Sequence, residues 1–175
     1  VVVNYKEMIN TYNNQPGLWS AKGWADTSVI TVYNDADKSL FISEQKVEYL
    51  SYNTAGDALS ERATTTKVDA DGKRFISGYT ETFNMEFDRD HNVINQRVIN
   101  YQALDDFGTQ EVLVDVREIR TLSYDEHGNA REQVIASYSG LRDGTNEADP
   151  GSFLDCKVVT TGSVDLWGNA LFSVT

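Results

Sequence analysis

Two histidines, one cysteine and a surplus of carboxylates set the limits of the chemistry this chain can carry. His91 and His127 fall at neighbouring positions of two separate Asp-rich segments, Asp88-Arg89-Asp90-His91 and Tyr124-Asp125-Glu126-His127-Gly128. A zinc site would need both to converge with a third ligand, and each is equally explained as a turn residue. Cys156, in the strand-like run Phe153-Leu154-Asp155-Cys156-Lys157-Val158, can form neither an internal disulfide nor a cysteine-cluster metal site. It is expected to be half-buried and inert. The pairs Asp35/Asp37, Asp69/Asp71, Asp88/Asp90 and Asp105/Asp106 offer oxygens of the kind calcium takes, but Asp69-Ala70-Asp71-Gly72 lacks the spacing of a calcium loop. The expectation is no cofactor and no metal site, with weak calcium binding at acidic turns as the alternative to plain solvation. No nucleophilic triad is indicated, and no pair of acids stands out for glycoside hydrolysis. The sequence names no catalytic residue, and the chain is expected not to be an enzyme.

The same residues make better sense as turns. An aromatic or aliphatic residue, then Asp or Asn, then two variable residues, then often Gly recurs along the chain. The copies include Tyr33-Asn34-Asp35-Ala36-Asp37, Tyr52-Asn53-Thr54-Ala55-Gly56, Val68-Asp69-Ala70-Asp71-Gly72, Phe87-Asp88-Arg89-Asp90-His91, Leu104-Asp105-Asp106-Phe107-Gly108, Tyr124-Asp125-Glu126-His127-Gly128 and Val164-Asp165-Leu166-Trp167-Gly168. A looser copy starts at Tyr12-Asn13. The Asp/Asn positions 13, 34, 53, 69, 88, 105, 125 and 165 are separated by 21, 19, 16, 19, 17, 20 and 40 residues. The last gap is two periods, and its missing turn is expected in the polar stretch Arg142–Gly151. A fixed period is the mark of a repeat architecture. Asp or Asn at the first corner can accept from backbone N–H groups just ahead of it. Gly in the fourth place supplies the positive φ of a bulged hairpin turn. Where Gly is missing, Asp37 and His91 are expected to take that conformation. The turn assignments that matter most are Asn53 with Gly56, Asp105 with Gly108, Asp125 with Gly128, and Asp165 with Gly168.

Between the turns the residues alternate. Val112, Val114 and Val116 share one parity, and so do Phe75, Tyr79, Phe83, Met85 and Phe87. That is the period of a strand, and Pro occurs only at positions 16 and 150. Each repeat is one long strand with a mid-strand bulge or two short strands with a second turn. Polar middles such as Glu44-Gln45-Lys46 and Arg117-Glu118 keep both readings open. The fold is expected to be all-β, an antiparallel hairpin meander forming a repeat sheet strip, with a closed up-and-down barrel as the alternative. The unit is residues 1–175, a single β-repeat domain or an array segment cut from a longer protein. Val1-Val2-Val3-Asn4-Tyr5 reads like the internal run Val98-Ile99-Asn100-Tyr101.

Lys and Arg number 15 against 27 Asp and Glu, a net charge of −12. That balance argues against a nucleic-acid partner, which needs a basic face, and none is expected. No apolar run approaches the roughly 20 residues of a membrane-spanning helix, so no membrane insertion is expected. Among the aromatics, Trp19, Trp24 and Trp167 could stack on a sugar or pack against a neighbouring repeat.

Tyr124-Asp125-Glu126-His127-Gly128-Asn129 and Val164-Asp165-Leu166-Trp167-Gly168-Asn169 resemble the YD repeat of large bacterial surface and secreted proteins. The resemblance covers most of Tyr12–Asn169. It implies β-hairpins strung along a spiralling sheet, an extracytoplasmic place (secreted or at the cell surface), and a structural or interaction role as spacer, shell wall or adhesive surface. Open strand ends at Val1–Tyr5 and Leu171–Thr175 are expected to meet neighbouring repeats or another protein through sheet edges. The alternatives are a carbohydrate-binding β module that uses Trp19, Trp24 and Trp167 on a glycan, and a barrel carrier of an apolar ligand.

Overall fold

A computed structural model describes residues 5–12, 23–164 and 170–174. Among these described residues ten strands follow one another: β1 Tyr5–Thr11, β2 Thr27–Tyr33, β3 Phe41–Tyr52, β4 Ala58–Val68, β5 Arg74–Phe87, β6 Val93–Ala103, β7 Glu111–Tyr124, β8 Ala130–Tyr138, β9 Phe153–Val164 and β10 Ala170–Val174. Strand order equals chain order, so each strand is hydrogen-bonded to its sequence neighbours in an antiparallel meander. The order is open, with β1 and β10 not adjacent. The closed-barrel alternative is therefore incorrect, and the barrel interior of an apolar carrier does not form.

The choice between one long strand and two short ones is resolved. β3 to β7 are single strands of 11 to 14 residues. The polar middles do not interrupt pairing: Glu44, Gln45 and Lys46 lie opposite Thr31, Ile30 and Val29 on one side and Thr66, Thr65 and Thr64 on the other. Register shifts fall beside turns instead, as at Tyr49–Tyr52 and Thr121–Tyr124. The period near twenty is thus one strand plus one turn. The gap before Val164 is filled as expected, by a loop after β8 that carries the Leu141–Ala148 bridge and a 3-10 turn at Pro150–Ser152. No helix among the described residues is long and apolar enough to cross a membrane.

The chain divides into two compact units, Val1–Glu81 with Asn100–Val112, and Thr82–Ile99 with Leu113–Thr175. In the first, a row of residues in register runs across four strands: Asn10, Ser28, Val47 and Ala63. Ser28, Val47 and Ala63 are buried, and the Ser28 hydroxyl donates to Asn10 Oδ1 at 2.7 Å. In the second unit Ile99 and Val116 are fully buried. Val116 lies opposite Tyr138, whose ring meets Phe153 edge-on at 5.7 Å.

Candidate functional site

The turns hold the residues that looked chemical, and their geometry shows how those residues are used. At Asp125 the N–H bonds the Asn129 carbonyl at 3.0 Å and the Gly128 N–H bonds the Asp125 carbonyl at 3.1 Å. Gly128 has φ +78, which gives a type I turn closed by a glycine bulge. Asp125 Oδ1 accepts from the N–H groups of His127 at 3.0 Å and Asn129 at 2.8 Å. The Asn129 amide reaches Oδ2 at 3.1 Å, as does Arg131. These bonds, led by that from the Asn129 backbone, hold the Asp125 carboxyl at about 2.

The pattern repeats. Asn53 Oδ1 accepts from the N–H groups of Ala55, Gly56 and Asp57, and Gly56 has φ +104. Asp69 accepts from Asp71 and Lys73, and Asp88 from Asp90 and Asn92. Asp105 accepts from the N–H groups of Phe107, Thr109 and Gln110 and from the Thr109 hydroxyl, with Gly108 at φ +66. Asp88 and Asp105 are held below their ordinary value, chiefly by side-chain hydrogen bonds from Asn92 and Thr109 respectively. An aspartate in this state is a poor general acid and a poor free ligand.

The first turn needs a correction. Here Lys38, not Asp37, takes the left-handed conformation, with φ 56. The turn is displaced by one residue: Asp35 accepts from the Ser39 N–H at 2.9 Å and from its hydroxyl, and the Ser39 hydroxyl is the main reason its carboxyl is lowered. Asn34 is left with its Oδ1 buried and without a partner. His91 takes φ 66.

Three features have no local signature in sequence. Tyr52 and Tyr124, each the last residue of its strand, donate their hydroxyls to backbone carbonyls near the start of the preceding strand. Tyr52 reaches Ala25 at 2.8 Å, and Tyr124 reaches Val93. The tyrosine of the repeat is therefore a latch as well as an apolar spacer. Tyr79 makes a related bond to the Gly108 carbonyl at 2.7 Å. Arg62 bridges Glu81 and Glu111, both at 2.7 Å, with its guanidinium over the Tyr79 ring. Burial raises Glu61, and Tyr52 is pushed up to about 12, mainly by burial.

The remaining candidates are quickly placed. Trp24 packs on Tyr52 at 5.2 Å and lies against Gly56, where a Cβ would sit 2.8 Å from its Nε1. Trp19, Trp167, Asp165 and Gly168 lie outside the described residues. Cys156 is exposed rather than half-buried; it pairs with Ala136 of β8, and the described pairing of β10 with β9 is confined to Thr160–Val164. His127 is exposed and lies 3.6 Å from Glu126. The two histidine turns are near one another, since a Cβ on Gly128 would lie 3.1 Å from Asn92 Oδ1. Among the described residues no three His, Cys, Asp or Glu side chains gather to hold a metal.

An open antiparallel meander with its turn carboxylates engaged by backbone N–H groups is the class of architecture in hand. Comparison with protein-family models, curated proteins and solved structures finds no match.

Proposed function

We propose that this chain is a non-catalytic structural or interaction segment of a large extracytoplasmic repeat protein, built like the YD-repeat proteins its turns resemble and serving as spacer, shell wall or adhesive surface. One observation carries the reading. The residue that recurs most regularly, the first Asp or Asn of each turn, accepts two or three backbone N–H bonds at Asn53, Asp105 and Asp125. Recurrence of this kind serves backbone geometry, whereas a reactive centre needs one copy that breaks the pattern with converging nucleophile, base and oxyanion donors. The partners are neighbouring repeats or another protein, met through sheet edges and turn tips.

Two measurements test this. Surface labelling of intact cells making the full-length protein should tag lysines of this segment, such as Lys67 and Lys157. Protection of those lysines until the cells are lysed would remove the extracytoplasmic part. A panel of glycosides, esters and peptides should show no saturable turnover; turnover abolished by Glu81→Gln would replace the structural reading with an enzymatic one.

A further inference from the structure

We propose that the sheet face crossed by β5 to β8 carries a binding groove for a free amphiphilic monoanion, a medium-chain carboxylate, whose headgroup is taken by Arg120. This is a function separate from the structural role proposed above.

The groove lies within the second compact unit and has a volume of about 460 Å³, in the range of small-ligand sites. It sits in mid-sheet, with described strands on either side. The register explains its floor. Arg120 pairs with Val134 and Glu118 with Ala136, and Val134 and Ala136 pair in turn with Val158 and Cys156. Side chains two apart along a strand share a face, so Glu118, Arg120, Val134 and Ala136 project together. The short side chains of Val134 and Ala136 leave the space that the longer Met85, Glu118 and Arg120 border. Met85 is 49% exposed, and Val158, beside Val134, is 48% exposed. Apolar surface here is wet and gains from being covered.

Charge decides which apolar ligand fits. Glu118 is bound by Arg97 at 2.6 Å, and Glu86 accepts from the Asn95 amide. Of the turn carboxylates on the other side of Arg120, those of Asp88, Asp90 and Asp125, Asp88 and Asp125 are engaged by turn N–H groups. Arg97, Arg117 and Arg131 are held by Glu118, Asp115 and Asp125. Arg120 is exposed and makes no ion pair or hydrogen bond among the described residues. The groove thus offers one guanidinium with uncommitted donors beside an apolar floor. A guanidinium fork matches a carboxylate, whereas a dianionic phosphate would bring a second negative charge toward Glu86 and Glu118. Glu86, Asn95 and the Arg97–Glu118 pair bound the apolar floor with polar groups, which suits a free monomer over a lipid surface. The net charge of −12 also opposes an anionic membrane.

Calorimetric titration below micelle formation compares decanoate with decyltrimethylammonium, the same tail under the opposite charge. An acidic chain that merely adsorbs apolar tails prefers the cation. Decanoate is expected to saturate one site and to bind about tenfold more tightly than the cation. Arg120→Gln should weaken decanoate about tenfold, the worth of a charge-assisted hydrogen bond, without weakening the cation. Ala136→Trp, which fills the floor, should abolish saturable binding with an unchanged strand signal in circular dichroism. Position is read from Cys156, the single cysteine, which is exposed and pairs with Ala136. A trifluoromethyl tag on its thiol should shift its fluorine resonance as decanoate saturates. Equal or tighter binding of the cation, decanoate binding undiminished in Arg120→Gln, or a tag resonance that does not move overturns the proposal. Decanoate held only when presented in phosphatidylcholine vesicles would put the site at a lipid surface and overturn the free-ligand assignment. If Ala136→Trp unfolds, the exposed Arg120→Gln change and the tag still decide.

Discussion

The turn at Asp125–Asn129 and the turn at Asn34–Leu40 both begin with Asp or Asn after a tyrosine and solve the same problem differently. In the first, the residue after tyrosine caps the turn and glycine takes the positive φ. In the second, the residue after tyrosine stands aside. Asp35 caps, Lys38 takes the positive φ, and Asn34 closes the wider loop through its N–H to the Leu40 carbonyl at 3.0 Å. The turn at 104–110 has the same wider closure, from the Leu104 N–H to the Gln110 carbonyl at 2.9 Å, yet keeps glycine at the left-handed position. What the repeats preserve is therefore an arrangement of N–H groups around one side-chain oxygen. The identity of the fourth residue is secondary where strain or a neighbour permits.

The sharpest way to separate conformational strain from steric crowding is a series of glycine substitutions. Gly108→Val should cost most. Its Cβ would collide with the Tyr79 hydroxyl and approach Ile76 Cγ2 to 3.1 Å, disturbing the Tyr79–Gly108 bond as well as forcing a β-branched residue into positive φ. We expect a loss of about 3 kcal/mol or more, the backbone strain plus displaced packing. Gly128→Val, whose Cβ meets only Asn92 Oδ1, should lose about 1–3 kcal/mol. Gly72→Ala, with nothing within 4 Å, should lose about 1 kcal/mol from φ alone. Urea midpoints that fail to follow this order would show that the turns are not held by the contacts described.

Acid titration probes the caps together. Asp35, Asp88, Asp105 and Asp125 all have carboxyls lowered by hydrogen bonds made in the folded state. A lowered folded value means that the stabilisation is fully present above the ordinary value of 3.8 and is lost as pH falls, for Asp125 toward about 2. The aspartate contribution to the urea midpoint should accordingly be lost as pH falls through and below the ordinary carboxylate range, while Glu61, raised by burial, works in the opposite sense and adds stability as it takes up its proton above that range. Asp125→Asn should keep the turn, because Asn53 makes the same bonds with an amide oxygen, and should weaken the acid dependence. An acid profile unchanged in Asp125→Asn would remove this carboxyl from the cause.

His91 offers a smaller test in the opposite direction. It holds φ 66 where most copies have glycine, so His91→Gly should gain about 1 kcal/mol. A loss of stability would mean that the contacts of the ring outweigh the relief of backbone strain.

How much of this was legible depended on range along the chain. Turn chemistry acts within about five residues, so Asn53–Gly56, Asp105–Gly108 and Asp125–Gly128 could be located from their letters. The loop after β8 could be placed from the missing beat. The choice between one strand and two was not legible. Glu44-Gln45-Lys46 reads as an interruption only if one assumes a sheet with a single wet face, whereas here these residues pair continuously on both sides. The Tyr52 and Tyr124 latches, the Arg62 bridge and the exposure of Cys156 are set by residues on other strands. No pattern within one repeat announces them.

The smallest effect tests the corrected register most directly. The two letters after Tyr33 compete for one role, and the sequence alone favours Asn34, which aligns with Asn53 and Asp125. The structure assigns the role to Asp35 and leaves Asn34 Oδ1 buried and unpaired. Removing Asp35 abolishes acceptors for the Ser39 N–H and hydroxyl, so Asp35→Ala should lower the urea midpoint. Removing Asn34 instead deletes a polar atom that is desolvated without compensation. Asn34→Ala keeps the backbone N–H that closes the loop, so the lost packing and the relieved desolvation should nearly cancel, leaving a change within about 0.5 kcal/mol. Had the motif been in its aligned register, the order would be reversed, with Asn34 costly and Asp35 nearly silent. Urea midpoints of the two single variants therefore decide between the registers even if both effects are smaller than expected, because the sign of their difference is enough.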